Sequence, residues 1–420
     1  MSRNKLATLF GLLVVVFASS AGGAVGGTAP EEALATAGGG GSPAVTGPAV
    51  EAPVPQLEAR SWALVDARSG EVLASHAFDR KLPIASTTKL MTAYVALHEL
   101  SLDKIVRAAP YEAEYGESLL GLRPGQRISV RDLLYGLILR SGNDAAYDLA
   151  RAAAGSERRF VSQMNRYAAA LGLADTHYAN PIGLDQRGNY SSAGDLVALT
   201  RRLLLEPAFA KIAASRSALL RSLRPPRRIE TINELLEMAP WVNGVKTGHT
   251  FGARYVLVGS GWRKGVELIA AVVGTETDEE RFADTLQLLE YGFSEYRKRL
   301  PIHAGETLAE PSIRYGGDEL PLRAARSVTV GLRRGQRLTV KVRAPGEVEG
   351  PIRRGARLGR AAVFVDGLRA ASVPLRAGRA VPKASALDRV RSFLVDNALW
   401  IGLALSAILI AAVLWRRHRR

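Results

Sequence analysis

The sequence predicts an α+β domain, then a small all-β module, then a membrane-spanning helix. Three observations predict it. Between residues 61 and 298, strand-like segments stand at both ends with helical patterns between them, so the terminal segments are expected to share one sheet. From residue 302 onward, short Val-, Leu- and Arg-rich alternations are punctuated by glycine, the texture of a β module. Residues 398–415 form an apolar run without a charged residue. At a helical rise of ~1.5 Å per residue such a run crosses a bilayer core.

Residues 1–24 read as a secretory signal: Arg3 and Lys5 are basic, 6–17 is a short apolar stretch, and small residues follow. An uncleaved N-terminal anchor is the other reading. Residues 25–60 are rich in Ala, Gly, Pro and Val and read as a flexible tether. Residues 62–66 and 71–74 flank Ala67-Arg68-Ser69-Gly70, a hairpin pattern with glycine in the turn. Pro83 precedes a helix expected over 86–100. Helical patterns continue to about residue 205, including 132–140 and 145–153. A strand over 241–245 is expected at a sheet edge. Segments 255–260 and 266–273 flank a glycine-containing turn at 261–265, and 281–293 is an amphipathic helix. The first domain is therefore drawn over 61–298 and the β module over 299–382. An amphipathic juxtamembrane segment at 383–397, the span at 398–415 and a basic tail at 416–420 follow. Basic residues beside a span stay in the cytoplasm, so everything before the span is expected outside, and Trp400 and Trp415 sit where interfacial aromatics sit.

Composition excludes some chemistry. The chain has no cysteine, hence no disulfide, thiolate metal site or cysteine nucleophile. Its formal net charge is +16. A chain read as secreted does not meet nucleic acid, so an anionic membrane surface or wall polymer is the partner the charge suggests. Solubility alone explains the charge equally well.

Three short motifs carry candidate chemistry. Ser-x-x-Lys occurs three times, beginning at Ser2, Ser86 and Ser101. Ser2 lies in the signal, and Ser101 follows a helix end. Ser86 opens a helix, so Lys89 three residues on shares its face. That helix is apolar nearly all round, as a buried one is, and a lysine there is costly unless it has a partner or a task. Desolvation lowers a lysine pKa, and a neutral amine can take a serine proton. The plainer reading is a helix cap at Ser86 and a snorkelling Lys89. Ser141-Gly142-Asn143 occurs once, between two helical patterns. Its hydroxyl and amide can relay a proton and hold a carbonyl, or simply cap a helix. Lys246-Thr247-Gly248 also occurs once, at the expected end of the edge strand. There a cation and a hydroxyl flank a position where a substrate backbone can approach closely.

In this order the three motifs are the signature of serine penicillin-binding proteins and β-lactamases. The match extends further. Pro83-Ile84-Ala85-Ser86-Thr87-Thr88-Lys89-Leu90-Met91, Asn180-Pro181-Ile182-Gly183-Leu184 with Tyr190-Ser191-Ser192-Ala193, and Asn243-Gly244-Val245-Lys246-Thr247-Gly248-His249-Thr250 resemble segments of the low-molecular-mass D-alanyl-D-alanine carboxypeptidases. Pro351-Ile352 to Pro374-Leu375 resembles the β-rich domain that stands their catalytic domain off the membrane. The resemblance implies a penicillin-binding/β-lactamase-like fold, an antiparallel sheet with helices. It implies Ser86 as nucleophile, Lys89 as its base, and Ser141 in the proton network. Asn143, Lys246, Thr247, Gly248 and His249 would hold the substrate, with the Ser86 and His249 N–H groups as oxyanion hole. Arg281 would meet the terminal carboxylate. The implied substrates are peptidoglycan peptides, the implied covalent inhibitors are β-lactams, and no cofactor or metal is implied. Two departures stand out: Ile182, where the family often has a polar residue, and Ser192, where it usually has Thr. A β-lactamase would usually carry Ser-Asp-Asn. A D,D-endopeptidase would use the same residues, and a silent wall-binding scaffold is the rival of another class. Oligomeric state is not legible.

Overall fold

The computed structural model describes residues 53–418; the expected signal, most of the expected tether and the last two arginines lie outside the described residues. The sheet of the first domain has five antiparallel strands, in the order Val72–His76, Ser61–Asp66, Val266–Thr275, Arg254–Arg263, Val242–Thr250. The N-terminal strand pairs with one more than 200 residues away, Ala63 opposite Ala271. The two chain ends of the domain thus close one sheet, as the sequence predicts.

Both faces of the sheet are covered, which explains its apolar strands. Odd and even positions feed different cores. Ala63, Val65, Ile269, Ala271, Val256 and Val258 face the helical region. Trp62, Leu64, Leu268, Ala270 and Val272 face the helix Asp278–Ser294, through Phe282, Leu288, Leu289 and Phe293. That helix starts earlier than its apolar pattern, at a capping box made by Thr277 and Glu280. Ala59 is buried in the same core and Leu57 packs against it, so the chain joins the fold before its first strand.

The helical region is built around Lys89–Glu99, whose Leu90, Met91, Ala93, Val95 and Ala96 are wholly buried. The helices Val130–Leu139, Asn143–Ala154, Glu157–Ala170 and Ala193–Leu204 surround it. Ser86 lies not in this α-helix but in the 3₁₀ turn Ala85–Thr88 that leads into it. The edge strand Val242–Thr250 runs straight through Lys246-Thr247-Gly248, where an end was expected. The apolar run stops at Lys246 in the sequence, but Lys246 is itself buried, so the charge does not mark a boundary.

A β module follows. Arg297–Ile302 pairs with Val328–Leu332, and a five-stranded sheet orders Thr307–Ala309, Leu322–Ala324, Leu368–Ala377, Arg357–Val365 and Leu338–Arg343. The module has its own apolar core, including Ile302, Leu322, Val363 and Leu375. The helix Ala386–Asp396, capped by Ser385, leaves Leu387, Val390, Phe393 and Leu394 exposed. The helix Ala398–His418 is long and apolar enough to cross a membrane, with a mean hydropathy of 2.4 and no part of that stretch buried against the rest of the chain.

Candidate active site

Ser86 and Lys89 meet at the head of the central helix. The Lys89 amine donates to Ser86 Oγ at 2.8 Å and to the Ile182 carbonyl at 2.5 Å. Lys89 is 0% exposed. Burial pushes its amine down to about 7, against the opposing pull of Glu117 and Asp144. Near neutral pH a large share of this amine is therefore unprotonated, beside a hydroxyl within reach. Ala85, just before the serine, holds a left-handed backbone at φ 47°. Such strain in a non-glycine residue persists only where its surroundings enforce it.

What enforces it is a loop and a strand that clamp the turn. The loop at 180–186 crosses over Ala85 and Ser86. Gly183 has φ 94°, and a Cβ there would stand 2.0 Å from the Ala85 carbonyl oxygen. Asn180 shapes the loop by accepting from the Gly183 N–H at 2.6 Å and donating to the Leu184 carbonyl at 3.1 Å. Asp185 ties the loop to the end of the edge strand, accepting from the Thr250 hydroxyl and the Gly252 N–H, both at 2.7 Å. Ile182 thus contributes its carbonyl, not its side chain, to Lys89.

The edge strand passes on the other side. A Cβ on Gly248 would lie 3.0 Å from the Ser86 nitrogen, so glycine permits the close approach. Lys246 and Gly248 pair with Val258 and Val256, which belong to the helical face, and so point toward Ser86. Thr247 and His249 point the other way. His249, exposed, stacks on Tyr255 with ring centroids 4.2 Å apart. Lys246 is 1% exposed and donates to the Thr247 carbonyl at 2.7 Å. Burial, then the charges of Lys89 and Arg281, hold its amine well below the usual range.

Arg281 reaches this strand from the helix behind it. Its guanidinium donates to the Gly248 carbonyl at 2.9 Å, pairs with Asp278, and lies 5.2 Å from the Tyr255 ring. Part of the guanidinium is thus occupied, and its Nε is buried without a partner.

The Ser-Gly-Asn triplet forms the third wall. Ser141 is 3% exposed in a left-handed conformation, φ 56°, and its hydroxyl makes no hydrogen bond among the described residues. Gly142 must be glycine, because a Cβ would stand 2.9 Å from the Leu120 nitrogen. Asp144, next to the triplet, accepts from three successive N–H groups, those of Leu120, Gly121 and Leu122, at 2.7, 2.7 and 2.9 Å. This pins the 117–122 loop against the triplet. Asn143 donates its amide to Glu117 Oε2 at 2.7 Å, while its own oxygen is buried without a partner.

Glu117 is the residue that sequence reasoning missed. It also accepts from the Tyr111 hydroxyl at 2.5 Å. Burial raises its pKa, but the Asn143 and Tyr111 hydrogen bonds outweigh that and hold it below the ordinary range. No spacing rule links a loop glutamate to an asparagine 26 residues later, and Glu112 and Glu114 in the same loop give Glu117 no mark of its own in the sequence.

The structure therefore brings Ser86, Lys89, Lys246, Gly248 and Arg281 together, with Asn143 opposite, Ser141 in the adjoining wall and Thr247 and His249 on the strand's far face. A family model described as D-alanyl-D-alanine carboxypeptidase matches residues 48–277, and one described as penicillin-binding protein 5, C-terminal domain, matches 296–383. The D-alanyl-D-alanine carboxypeptidase DacF of Bacillus subtilis is 30% identical over 349 residues, 81% of this chain and 90% of the relative. DacC of Escherichia coli is 37% identical over 306 residues, covering 70% and 75%. The crystal structure of Escherichia coli penicillin binding protein 6B superposes with a TM-score of 0.56 at 30% identity, over 78% of this chain and 97% of that one. With a match across more than half its length and relatives of this extent, the chain belongs to the D-alanyl-D-alanine carboxypeptidase family of serine peptidases.

Proposed function

We propose that this chain removes the terminal D-Ala from peptidoglycan pentapeptides through an acyl-enzyme on Ser86, and that β-lactams acylate the same hydroxyl. The carrying observation is the wholly buried Lys89 amine, 2.8 Å from Ser86 Oγ and pushed down to about 7. Unprotonated, it takes the hydroxyl proton as Oγ attacks the penultimate D-Ala carbonyl carbon. The oxyanion that forms lies between the turn and the strand, where the Ser86 and His249 N–H groups serve it. The C–N bond then breaks. The leaving D-Ala amine takes the proton back from Lys89, with the unbonded Ser141 hydroxyl as relay. Water, activated by the same amine, releases the shortened peptide. Asn143 holds the peptide carbonyl. Lys246 closes the wall beside Ser86, and Arg281, paired with Asp278 beside the Gly248 carbonyl, meets the terminal carboxylate.

In this reading the chain is anchored by Ala398–His418, with the trailing arginines in the cytoplasm and both folded modules outside. The test is covalent labelling by a fluorescent penicillin on a denaturing gel, with D-Ala release from a defined pentapeptide measured in parallel. Wild type should label and release D-Ala, and Ser86→Ala should do neither while staying folded. Labelling that persists in Ser86→Ala, or that disappears instead in Ser101→Ala, removes the assignment.

A further inference from the structure

The β module carries a second array of cations, unlike the first. Four strands of its larger sheet, Leu322–Ala324, Leu338–Arg343, Arg357–Val365 and Leu368–Ala377, contain no Asp or Glu. Their inward residues, among them Val342, Ala361, Val363 and Leu375, build the module core. The outward positions hold the charges. Register sets Arg323, Arg376 and Arg357 side by side across three adjacent strands. One row on, Arg343 stands opposite Arg360. Beyond them Lys341 and Arg369 line a shallow groove with half-buried Phe364, the Lys341 amine 5.2 Å from its ring. All seven cations are exposed, and none forms an ion pair among the described residues. Like charges directly opposite on neighbouring strands destabilise a sheet. The module has acids to spare, since Arg314, Arg379 and Arg389 each meet one. They are simply absent from this face.

We propose that this face docks the peptidoglycan strand itself, through the carboxylates of its stem peptides, and so holds the polymer beside the catalytic domain. The inference rests on the activity proposed above and adds where the polymer lies. Six of the seven cations are arginine, whose planar donor pair matches a carboxylate bidentately. Phe364 offers an apolar surface for the C–H face of a sugar. The direction of the array favours a strand over a bilayer. The Arg323–Arg376–Arg357 row lies where the chain leaves for the juxtamembrane helix. The other end lies at the turn containing Asp366, which bonds Arg337 through backbone and side chain. The loop that carries Arg337 also carries Arg333, which pairs with Glu71 of the first domain. The array therefore leads from the anchor toward the catalytic domain, ~13 Å from Arg360 to Phe364 at ~3.3 Å per residue. A planar membrane touches one end of such a stripe; an extended polymer follows all of it. The spanning helix already anchors the chain, which leaves lipid electrostatics little to add.

The experiment uses the full chain in neutral detergent and isolated, insoluble peptidoglycan. Arg343→Glu, Arg360→Glu and Arg376→Glu are combined, and a second variant carries Gln at the same three positions, which relieves like-charge repulsion and so preserves the fold. Wild type should co-sediment with the wall, less so as salt rises. The Glu variant should bind at least tenfold more weakly, with the Gln variant between. D-Ala release from a soluble pentapeptide should be unchanged in both, while release from the polymer falls. Co-sedimentation of the Glu variant equal to wild type overturns the proposal. So does protection of the module from proteolysis by phosphatidylglycerol vesicles, but not phosphatidylcholine vesicles, that is lost in the Glu variant, since the face would then be a lipid contact. Wall binding of Ser86→Ala isolates docking from chemistry: failure of soluble-peptide hydrolysis in wild type counts against the proposed activity, not against the docking face.

Discussion

The cleft and the β module both concentrate positive charge, and they do so under opposite conditions. Lys89 and Lys246 are 0% and 1% exposed, and burial drives both amines toward the neutral form. Arg343, Arg360 and Arg376 stand in solvent on a sheet without acids. One residue class therefore supplies a base in one place and a fixed field in the other, and access to water decides which. Lysine suits the first role because its proton can be removed; arginine suits the second because its proton cannot. The comparison fails if the buried cations act only through their charge.

Lys89→Arg breaks it most directly. The variant keeps the charge and removes the removable proton, so acylation by penicillin should fall by about 10²–10⁴-fold, the range expected for loss of a general base. Labelling within tenfold of wild type would mean that another group takes the Ser86 proton. The wild-type pH profile gives the same test without substitution. The protonated amine is inactive, so acylation should rise with pH through about 7 and fall about tenfold per unit well below it. A profile flat from pH 5 to 8 would contradict an amine poised there.

Arg281 is the intermediate case, a buried cation kept charged by Asp278. If it meets the terminal carboxylate, Arg281→Ala should cost carboxypeptidase turnover tenfold or more, since a charged hydrogen bond contributes about 1.5–3 kcal/mol. Cleavage of a cross-linked dimer, without a free carboxylate at that point, should lose less. Equal losses on both substrates would reduce Arg281 to a support for the Gly248 carbonyl.

Much of this cleft was legible because motif spacing reports helix faces and loop ends. Ser86 and Lys89 are three residues apart on one turn, and Gly248 announces a close approach of strand to neighbour. The sheet joining the two ends of the domain was legible for the same reason, since its strands are apolar on both faces and bounded by turns. What stayed hidden depends on register and on loops. Glu117 sits in a segment without periodicity, and it reaches Asn143 through the three N–H bonds to Asp144 and the bond from the Asn143 N–H to the Ser118 carbonyl. The rows of arginine on the module likewise need the observed strand pairing, with its bulges near Arg357 and Phe364. A one-residue slip of any of these strands would have sent its arginines inward.

Glu117→Gln is expected to change the cleft by a smaller amount. The amide can still accept from Asn143 and Tyr111 but carries no charge. Glu117 raises the Lys89 pKa, so its neutralisation should lower that value and move the acid limb of acylation to lower pH. Asp144 and Lys246, the other ionisable side chains at this centre, are unchanged. Glu117→Ala, which also frees the Asn143 amide, should in addition weaken peptide binding several-fold. An acid limb that stays in place in Glu117→Gln would show that solvent screens this half-exposed carboxylate from the amine.

The smallest effect is expected from removing the anchor. All residues placed in the cleft precede residue 282, and the β module, with a core of its own, lies in sequence between them and the apolar helix Ala398–His418. The helix Ala398–His418 makes no buried contact, and the apolar side of Ala386–Asp396 is exposed, so neither contributes to a folded core. A chain of residues 53–384 keeps Leu57 and Ala59, which complete the packing behind the sheet. It should be soluble and release D-Ala from a soluble pentapeptide at the wild-type rate. Its activity on intact wall should fall, because tethering raises the local concentration of enzyme near its polymer. Within this truncated chain the exposed cations should matter more: with the anchor gone, the arginine face is the main hold on the wall. Charge reversal there should therefore cost wall hydrolysis more in the truncated form than in full-length protein reconstituted into vesicles. Equal losses in the two forms would mean that anchor and face act independently, and loss of soluble-peptide activity despite a folded circular-dichroism spectrum would make the spanning helix part of the catalytic fold.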